Sequence, residues 1–132
     1  MSNLCNVAVT TAVTGSIQTA VTGFTSPQAV TILAAFTYVA SAATSVDAYV
    51  QTTIDGVHWQ DIANFHFTTS SATQFVNVLG MTAVTTPATA ADGTLASNTA
   101  QAGFLGTQYR VKITSVGTYG AGTTIQIDIQ TR

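Results

Sequence analysis

Helix surfaces are built largely from Glu, Lys and Arg, and this chain has almost none of them. It holds no Glu, and its only cations are Arg110, Lys112 and Arg132. With Asp47, Asp55, Asp61, Asp92 and Asp128 these make 6% of 132 residues, where about 25% is ordinary. Thr, Val and Ala fill the gap, with Ile and aromatics beside them. Such side chains, the β-branched and aromatic ones above all, suit a half-buried pleated surface. An all-β fold is the expectation. So few charges also leave little repulsion between copies, which suits a subunit that sits against neighbours.

The length allows one domain over residues 1–132, burying about two-thirds of the surface its unfolded form exposes. A net charge of -2 offers no patch to neutralise a run of phosphates, so nucleic-acid binding is disfavoured. No polybasic stretch addresses an anionic membrane. The start, Met1-Ser2-Asn3-Leu4, lacks the charged and apolar regions of a signal peptide. The greasiest stretch, Ala29 to Ala43, contains Thr31, Thr37 and Ser41 and falls short of the about 20 apolar residues a membrane helix needs. A soluble protein made in a cytoplasm is expected. Cys5 is the only cysteine; it reads as a small hydrophobe near a strand, with a reactive or intermolecular thiol as the alternative.

Alternation of period two marks the strands. Over Gln108 to Ser115, Tyr109, Val111 and Ile113 oppose Gln108, Arg110, Lys112 and Thr114. Over Thr123 to Gln130, Ile125, Ile127 and Ile129 oppose Thr124, Gln126, Asp128 and Gln130. The Gly-rich run Val116 to Gly122 between them reads as the turn of a carboxy-terminal hairpin. That hairpin would set Asp128 beside Arg110 or Lys112, a pair worth well under about 1 kcal/mol in solvent. A second hairpin spans Val46 to Phe67. Asp55-Gly56 reads as its two-residue type I′ turn. On the return strand Val57, Trp59, Ala63, Phe65 and Phe67 share one phase and Ile62 the other, which predicts a bulge near Gln60-Asp61. Trp59, Phe65 and Phe67 are the expected core anchors.

Ala29 to Ala40 follows Ser26-Pro27, which resembles a helix start, yet its β-branched and aromatic content favours a buried strand over a helix. Thr73 to Leu79 is another strand, and Asn6 to Thr14 and Ser16 to Val21 are weaker ones. Seven or eight short antiparallel strands point to a single β-sandwich or jelly-roll-like domain.

Two regions stand apart. Thr11-Ala12-Val13-Thr14-Gly15 recurs as Thr19-Ala20-Val21-Thr22-Gly23, with a partial copy from Thr82 to Thr86. Too few tandem units exist for a solenoid, so the repeat reads as bias in edge strands or an amino-terminal arm over residues 1–23. Gly80 to Gly103 is a long Ala/Thr/Ser/Asn loop whose only charge is Asp92. Such a length without regular structure suggests a disordered loop or an arm that orders against a partner; its near lack of charge, where disordered linkers are strongly polar, favours the arm. Met1 to Val46 carries no charge at all. The neutral stretches are the expected contact surfaces, with Val7, Val9, Val13, Ile17, Val21, Met81, Val84, Leu95 and Phe104 as candidate interface residues. The two charged hairpins are expected to face solvent.

Chemistry is sparse. Asp55, His58, Asp61 and His66 cluster in sequence, but His58 and His66 would stand about 26 Å apart on one strand, so no metal site is expected. Without Glu or a placed Asp pair there is no acid–base constellation. No nucleophile elbow supports Ser-His-Asp catalysis, and no phosphate loop or dinucleotide fingerprint occurs. Neither an enzyme nor a cofactor is expected. Trp59, Tyr49 and Tyr119 raise a sugar-stacking platform as a further possibility, with core packing of Trp59 preferred. Thr53 to Trp59 is similar to the Asp-box hairpin of sialidases, itself a structural turn, and lacks one residue of it.

The string from Tyr49 to Phe65, YVQTTIDGVHWQDIANF, resembles a pattern in small virion proteins of tailed bacteriophages: V-Q-x-S-x-D-G-x-x-W-x-D-I-A, followed near the carboxy terminus by Y-R-V-K and a Gly-rich turn. Tyr109-Arg110-Val111-Lys112 and Gly117 to Gly122 match the second part. The resemblance covers roughly a third of the chain. It implies a β-sandwich building block of the virion, such as a capsid decoration (cement) protein, assembling as a homo-oligomer and on the major capsid protein. A neck or tail component is the alternative within the class. A carbohydrate-binding sandwich on a fibre or surface layer is the alternative outside it.

Overall fold

The alternating segments form nine strands in two packed antiparallel sheets, in a computed structural model that describes every residue except Ser26, Ser41 and Ala43. The strands are β1 (Ser2–Ala8), β2 (Ser16–Ile17), β3 (Ala29–Thr37), β4 (Ser45–Thr53), β5 (Gln60–Phe67), β6 (Ala72–Leu79), β7 (Thr99–Ala100), β8 (Gln108–Val116) and β9 (Thr124–Thr131). One sheet has the order β1-β9-β3-β6 and the other β2-β8-β4-β5-β7. The segment from Ala29 is therefore a strand. Ser26 of the helix-start reading lies outside the described residues.

The chain pairs from the outside in. β1 lies against β9, β2 against β8, β3 against β6 and β4 against β5. Contacts β3·β9, β4·β8 and β5·β7 then complete the two sheets. The expected carboxy-terminal hairpin is overturned by this arrangement, because β8 and β9 belong to different sheets. The Gly-rich run instead carries the chain across one end of the sandwich. Tyr119 within it is buried edge-on against Phe36 and Tyr38, and its hydroxyl donates to the Thr68 carbonyl at 2.7 Å. Asp128 consequently meets neither Arg110 nor Lys112; Asn3 and Gln126 donate to it.

The core lies between the sheets. Val30, Ile32, Ala34 and Phe36 with Ile125, Ile127 and Ile129 face Val46, Ala48, Val50, Val111, Ile113, Phe65 and Phe67. Each fully buried aliphatic or aromatic side chain contributes about 1.5–3 kcal/mol.

The predicted bulge is present, one residue on from its expected place. Val50 pairs with Ala63 and Gln51 with Asp61, so Ile62 is the extra residue. Ile62 and Ala63 are consecutive, yet both belong to the core, which a regular strand does not allow. The bulge reverses the phase before it. Phe65 and Phe67 point into the sandwich, while Asp61 and Trp59 leave on the opposite face of their sheet. Trp59 is buried but stands outside the inter-sheet core, and Val57 is exposed. Both depart from the shared phase expected of them.

The amino-terminal segment is held to its own chain. β1 is an edge strand with an irregular register between Asn3 and Cys5. Residues 13 to 21 track β8: Ser115 N–H donates to the Val13 carbonyl at 2.9 Å, and Val21 and Tyr109 exchange bonds. The two repeat copies thus place Val13 and Val21 at successive points along one strand.

Burial pushes the Cys5 thiol up from 9.0 to about 11. Below the ordinary value the thiol is protonated in both folded and unfolded chains. As pH rises from there toward about 11 the unfolded chain releases its proton first, so stability falls. A disulfide exchange reagent at pH 8 should label Cys5 at least about tenfold faster in denaturant than in the native protein; equal rates would place the thiol at the surface.

Candidate functional site

The outer face of the five-stranded sheet gathers the charge. Gln51 from β4, Asp61 from β5 and Arg110 and Lys112 from β8 stand there side by side, because β4 pairs with both neighbours at this level. Arg110 Nε donates to Gln51 Oε1 at 2.7 Å. Gln51 Nε2 lies 2.8 Å from Asp61 Oδ1 and 2.6 Å from Asp92 Oδ1. Lys112 Nζ reaches the same Asp92 oxygen at 3.0 Å, and Arg110 Nη2 lies 3.7 Å from it. The Arg110 guanidinium carbon sits 4.1 Å from the Trp59 ring centroid, a cation–π contact.

The loop after β6 covers this network. Asp61 is 0% exposed. Its carboxylate accepts the backbone N–H groups of Gly93, Thr94 and Leu95 at 2.9 to 3.1 Å. Consecutive N–H groups of this kind form an anion-binding concavity, and the positive φ of 80° at Gly93 supplies its turn. Asp61 N–H donates to the Ala91 carbonyl, and Ala91 N–H to Gln60 Oε1. Further along, Asn64 Nδ2 donates to the Leu95 carbonyl and Asn98 Oδ1 accepts His66 N–H. β7 then extends the sheet beside β5. The long neutral segment is therefore bound to its own domain.

The expectation that both charged hairpins face solvent is overturned here. Two carboxylates and two cations neutralise one another where the loop meets the sheet: the Arg110 and Lys112 side chains are only 12% and 18% exposed, and Asp92, on the loop itself, is 49% exposed. Burial is the largest single influence on Asp92 and opposes its ionisation. The bonds from Gln51 and Lys112 and the two positive charges together outweigh it, and its carboxyl lies below the ordinary value. Burial likewise lowers Arg110, against the pull of Asp92 and Asp61.

Between the loop and the turn from Ile54 to Trp59 lies a cleft of about 420 Å³, lined by Trp59, Val84, Leu95 and Phe104 among others. The turn is wider than the expected two residues. β4 ends at Thr53 and β5 begins at Gln60, and of Asp55 and Gly56 only Gly56 has positive φ, 77°, whereas a type I′ turn needs both. Asp55 Oδ1 instead accepts the N–H groups of Val57 and His58, both at 2.8 Å. The His58 ring first, then those two N–H groups, hold the Asp55 carboxyl well below the usual carboxylate range. Gly106 closes the base of the turn; a Cβ there would collide with the Thr53 carbonyl oxygen.

The sequence cluster Asp55, His58, Asp61 and His66 separates. His58 pairs with Asp55 at 2.7 Å and His66 with Asp47 at 2.9 Å, while Asp61 serves the loop. Ser97 Oγ approaches Asp47 Oδ1 and His66 Nδ1 at 3.1 and 3.4 Å. Serine and carboxylate thus crowd one ring nitrogen, whereas a Ser-His-Asp relay needs one on each. Tyr49, Trp59 and Tyr119 form no common platform: Tyr119 is in the core, and Arg110 covers Trp59.

Of the candidate interface residues, Val9 is buried in the core, which corrects its assignment. Val7, Val13 and Val21 pack partly against the core. Ile17, Met81 and Val84 are exposed, and Leu95 and Phe104 are half-buried at the cleft. The sequence reading missed Gln51 and the joint role of Asp61 and Asp92. The available signal was Asp92-Gly93, the one charge in a neutral loop.

No protein-family model, no curated protein and no solved structure matches the chain.

Asp61→Ala should destabilise the protein by about 3 kcal/mol, since it strips charge-assisted bonds from three part-buried backbone donors and from Gln51. It should also free the loop to proteases between residues 81 and 98. Asp92→Asn should free it less. The lowered Asp92 carboxyl stabilises the native state above the ordinary carboxylate range, and that contribution fades as pH falls through its own lower value. Fluorescence of Trp59, the only tryptophan, should shift to the red in both variants; an unmoved spectrum and intact loop in Asp61→Ala would remove the carboxylate as the anchor.

Proposed function

We propose that the chain is a structural virion subunit, most specifically a capsid decoration protein that stabilises the head shell through subunit contacts. The observation that carries this reading is the surface. Four of the eight charged side chains neutralise one another where the loop meets the sheet, and Asp47 and Asp55 each face a histidine. What remains outside is nearly neutral and includes large apolar side chains such as Ile17, Phe75, Leu79 and Met81. A surface of that kind is poorly suited to a free monomer and well suited to contact.

We read the fold as a jelly roll. Leaving out the two-residue β7, the remaining eight strands pair first with last, second with seventh, third with sixth and fourth with fifth, as a long nested hairpin rolled into two sheets does. Viral capsid and lectin domains use that architecture, which supports the virion reading and keeps a neck or tail subunit next to it. The carbohydrate reading rests on the cleft beside Trp59 and is weakened by the guanidinium over that ring.

Light scattering of the purified protein with capsids of the virus that encodes it tests the proposal. Expected is a saturable gain in particle mass and a raised capsid melting temperature. Capsids that take up none of it would overturn the decoration role. A glycan array with Trp59→Ala as control addresses the alternative.

A further inference from the structure

A sheet edge offers unpaired N–H and C=O groups to any passing strand, and proteins guard such edges with bulges, shortness, Pro or charge. Among the described residues, three of the four edges here carry such a device. β1 has the irregular register at Leu4, and β2 and β7 are two residues long. The fourth edge, β6, has none. It runs eight residues, ATQFVNVL, in unbroken register with β3, without charge or proline.

The direction of its backbone groups follows from two bonds at its end. Gly80 N–H donates to the Gln28 carbonyl, on the β3 side, and Gly103 N–H reaches the Leu79 carbonyl from the other side. In a strand, both backbone groups of one residue point the same way and alternate along the chain. Thr73, Phe75 and Asn77 therefore aim their N–H and C=O groups at the open edge, and no hydrogen bond within the described residues reaches them. A groove of about 390 Å³ runs beside this edge, between β6 and the β5–β7 side. On the outer face Phe75 is 72% exposed, beside Leu33 at 41%.

We propose that β6 is the interface between two copies of this chain, joined antiparallel about a two-fold axis at Phe75. An antiparallel edge is self-complementary under such an axis. With the axis at residue 75, Phe75 pairs with its symmetry mate and Thr73 with Asn77 of the partner subunit. All three donors from each copy then find acceptors. The two four-stranded sheets become one continuous sheet, and the two Phe75 rings lie side by side, as directly opposed residues do. No like charges oppose each other anywhere along the strand. A second copy fits better than a charged or Pro-rich peptide, because this edge carries no charge to recognise one. The inference is independent of the virion reading.

Sedimentation equilibrium of the full chain is the test. The wild-type protein should sediment at twice its 13.6 kDa without any capsid present. Phe75→Lys sets two ammonium groups opposite each other at the axis, and Asn77→Pro removes a donor that faces away from β3; each should abolish the dimer. Ile17→Lys, on the β2 edge, should leave it intact. A wild-type chain that stays single, or an association that Phe75→Lys and Asn77→Pro leave unchanged, overturns the proposal. Where either variant fails to fold, hydrogen exchange of the unaltered chain decides: the amides of Thr73, Phe75 and Asn77 should slow as concentration rises, and a rate independent of concentration overturns it. A single chain that still loads capsids would sink this interface alone; a dimer that ignores capsids would sink the decoration role alone.

Discussion

The Asp61 carboxylate is the point from which the outer half of the molecule is organised. It is fully buried on a sheet face, and a buried carboxylate is tolerated only when its lone pairs are filled. The loop fills them with three successive backbone N–H groups, and Gln51 supplies a fourth donor. That capture brings Asp92 down onto Lys112, Arg110 and the same Gln51. Arg110, fixed from below by Gln51 and from beside by Trp59, completes the floor. A segment whose only large apolar side chains are Met81, Val84 and Leu95 is thus tied down chiefly by polar geometry. Its own sequence has little else to offer: it is rich in Ala and Thr, and its side chains from residue 81 to 90 are exposed.

Strand content was legible in the residues because alternation is a local property. β3, β4, β6, β8 and β9 all fall where period two or β-branched density places them. Strand partnership is not local. β8 and β9 both alternate, and the Gly-rich run between them could equally close a hairpin or cross between sheets. What decides is the nested pairing: β9 has β1 and β3 as neighbours, and β8 has β2 and β4, so neither has an edge left for the other. Alternation alone favours the short-range pair, which would set Asp128 beside Arg110 or Lys112; in the fold its partners are Asn3 and Gln126.

The candidate site was legible in its members and not in its assembly. A bulge was visible as a conflict of phase between Ile62 and the aromatics after it. Its consequence reaches back to Trp59 and Asp61, whose side of the sheet it reverses. Charge scarcity in a sequence looks like a property of the surface. In the folded chain most of those few charges are structural, and the solvent sees fewer still. The loop's length and neutrality resemble a free arm; the single Asp-Gly within it is the residue pair that ties it inward.

Once the loop and the amino-terminal track are accounted for by the domain's own hydrogen bonds, the question of what such a neutral chain contacts narrows to what is left over. Segments that satisfy themselves have little reason to bind. The face and edge around Phe75 have reason on two counts, since unpaired backbone groups and exposed apolar area fall on the same eight residues. Backbone pairing gives such an edge affinity without sequence specificity. In the absence of charge, selection among partners would fall to shape: the ring of Phe75 at the centre, with Thr73 and Asn77 on either side. The chain holds its loop by electrostatics, where directional bonds are needed to fix an irregular backbone; the association proposed at β6 would rest instead on main-chain pairing, where repetition of one strand against itself is sufficient.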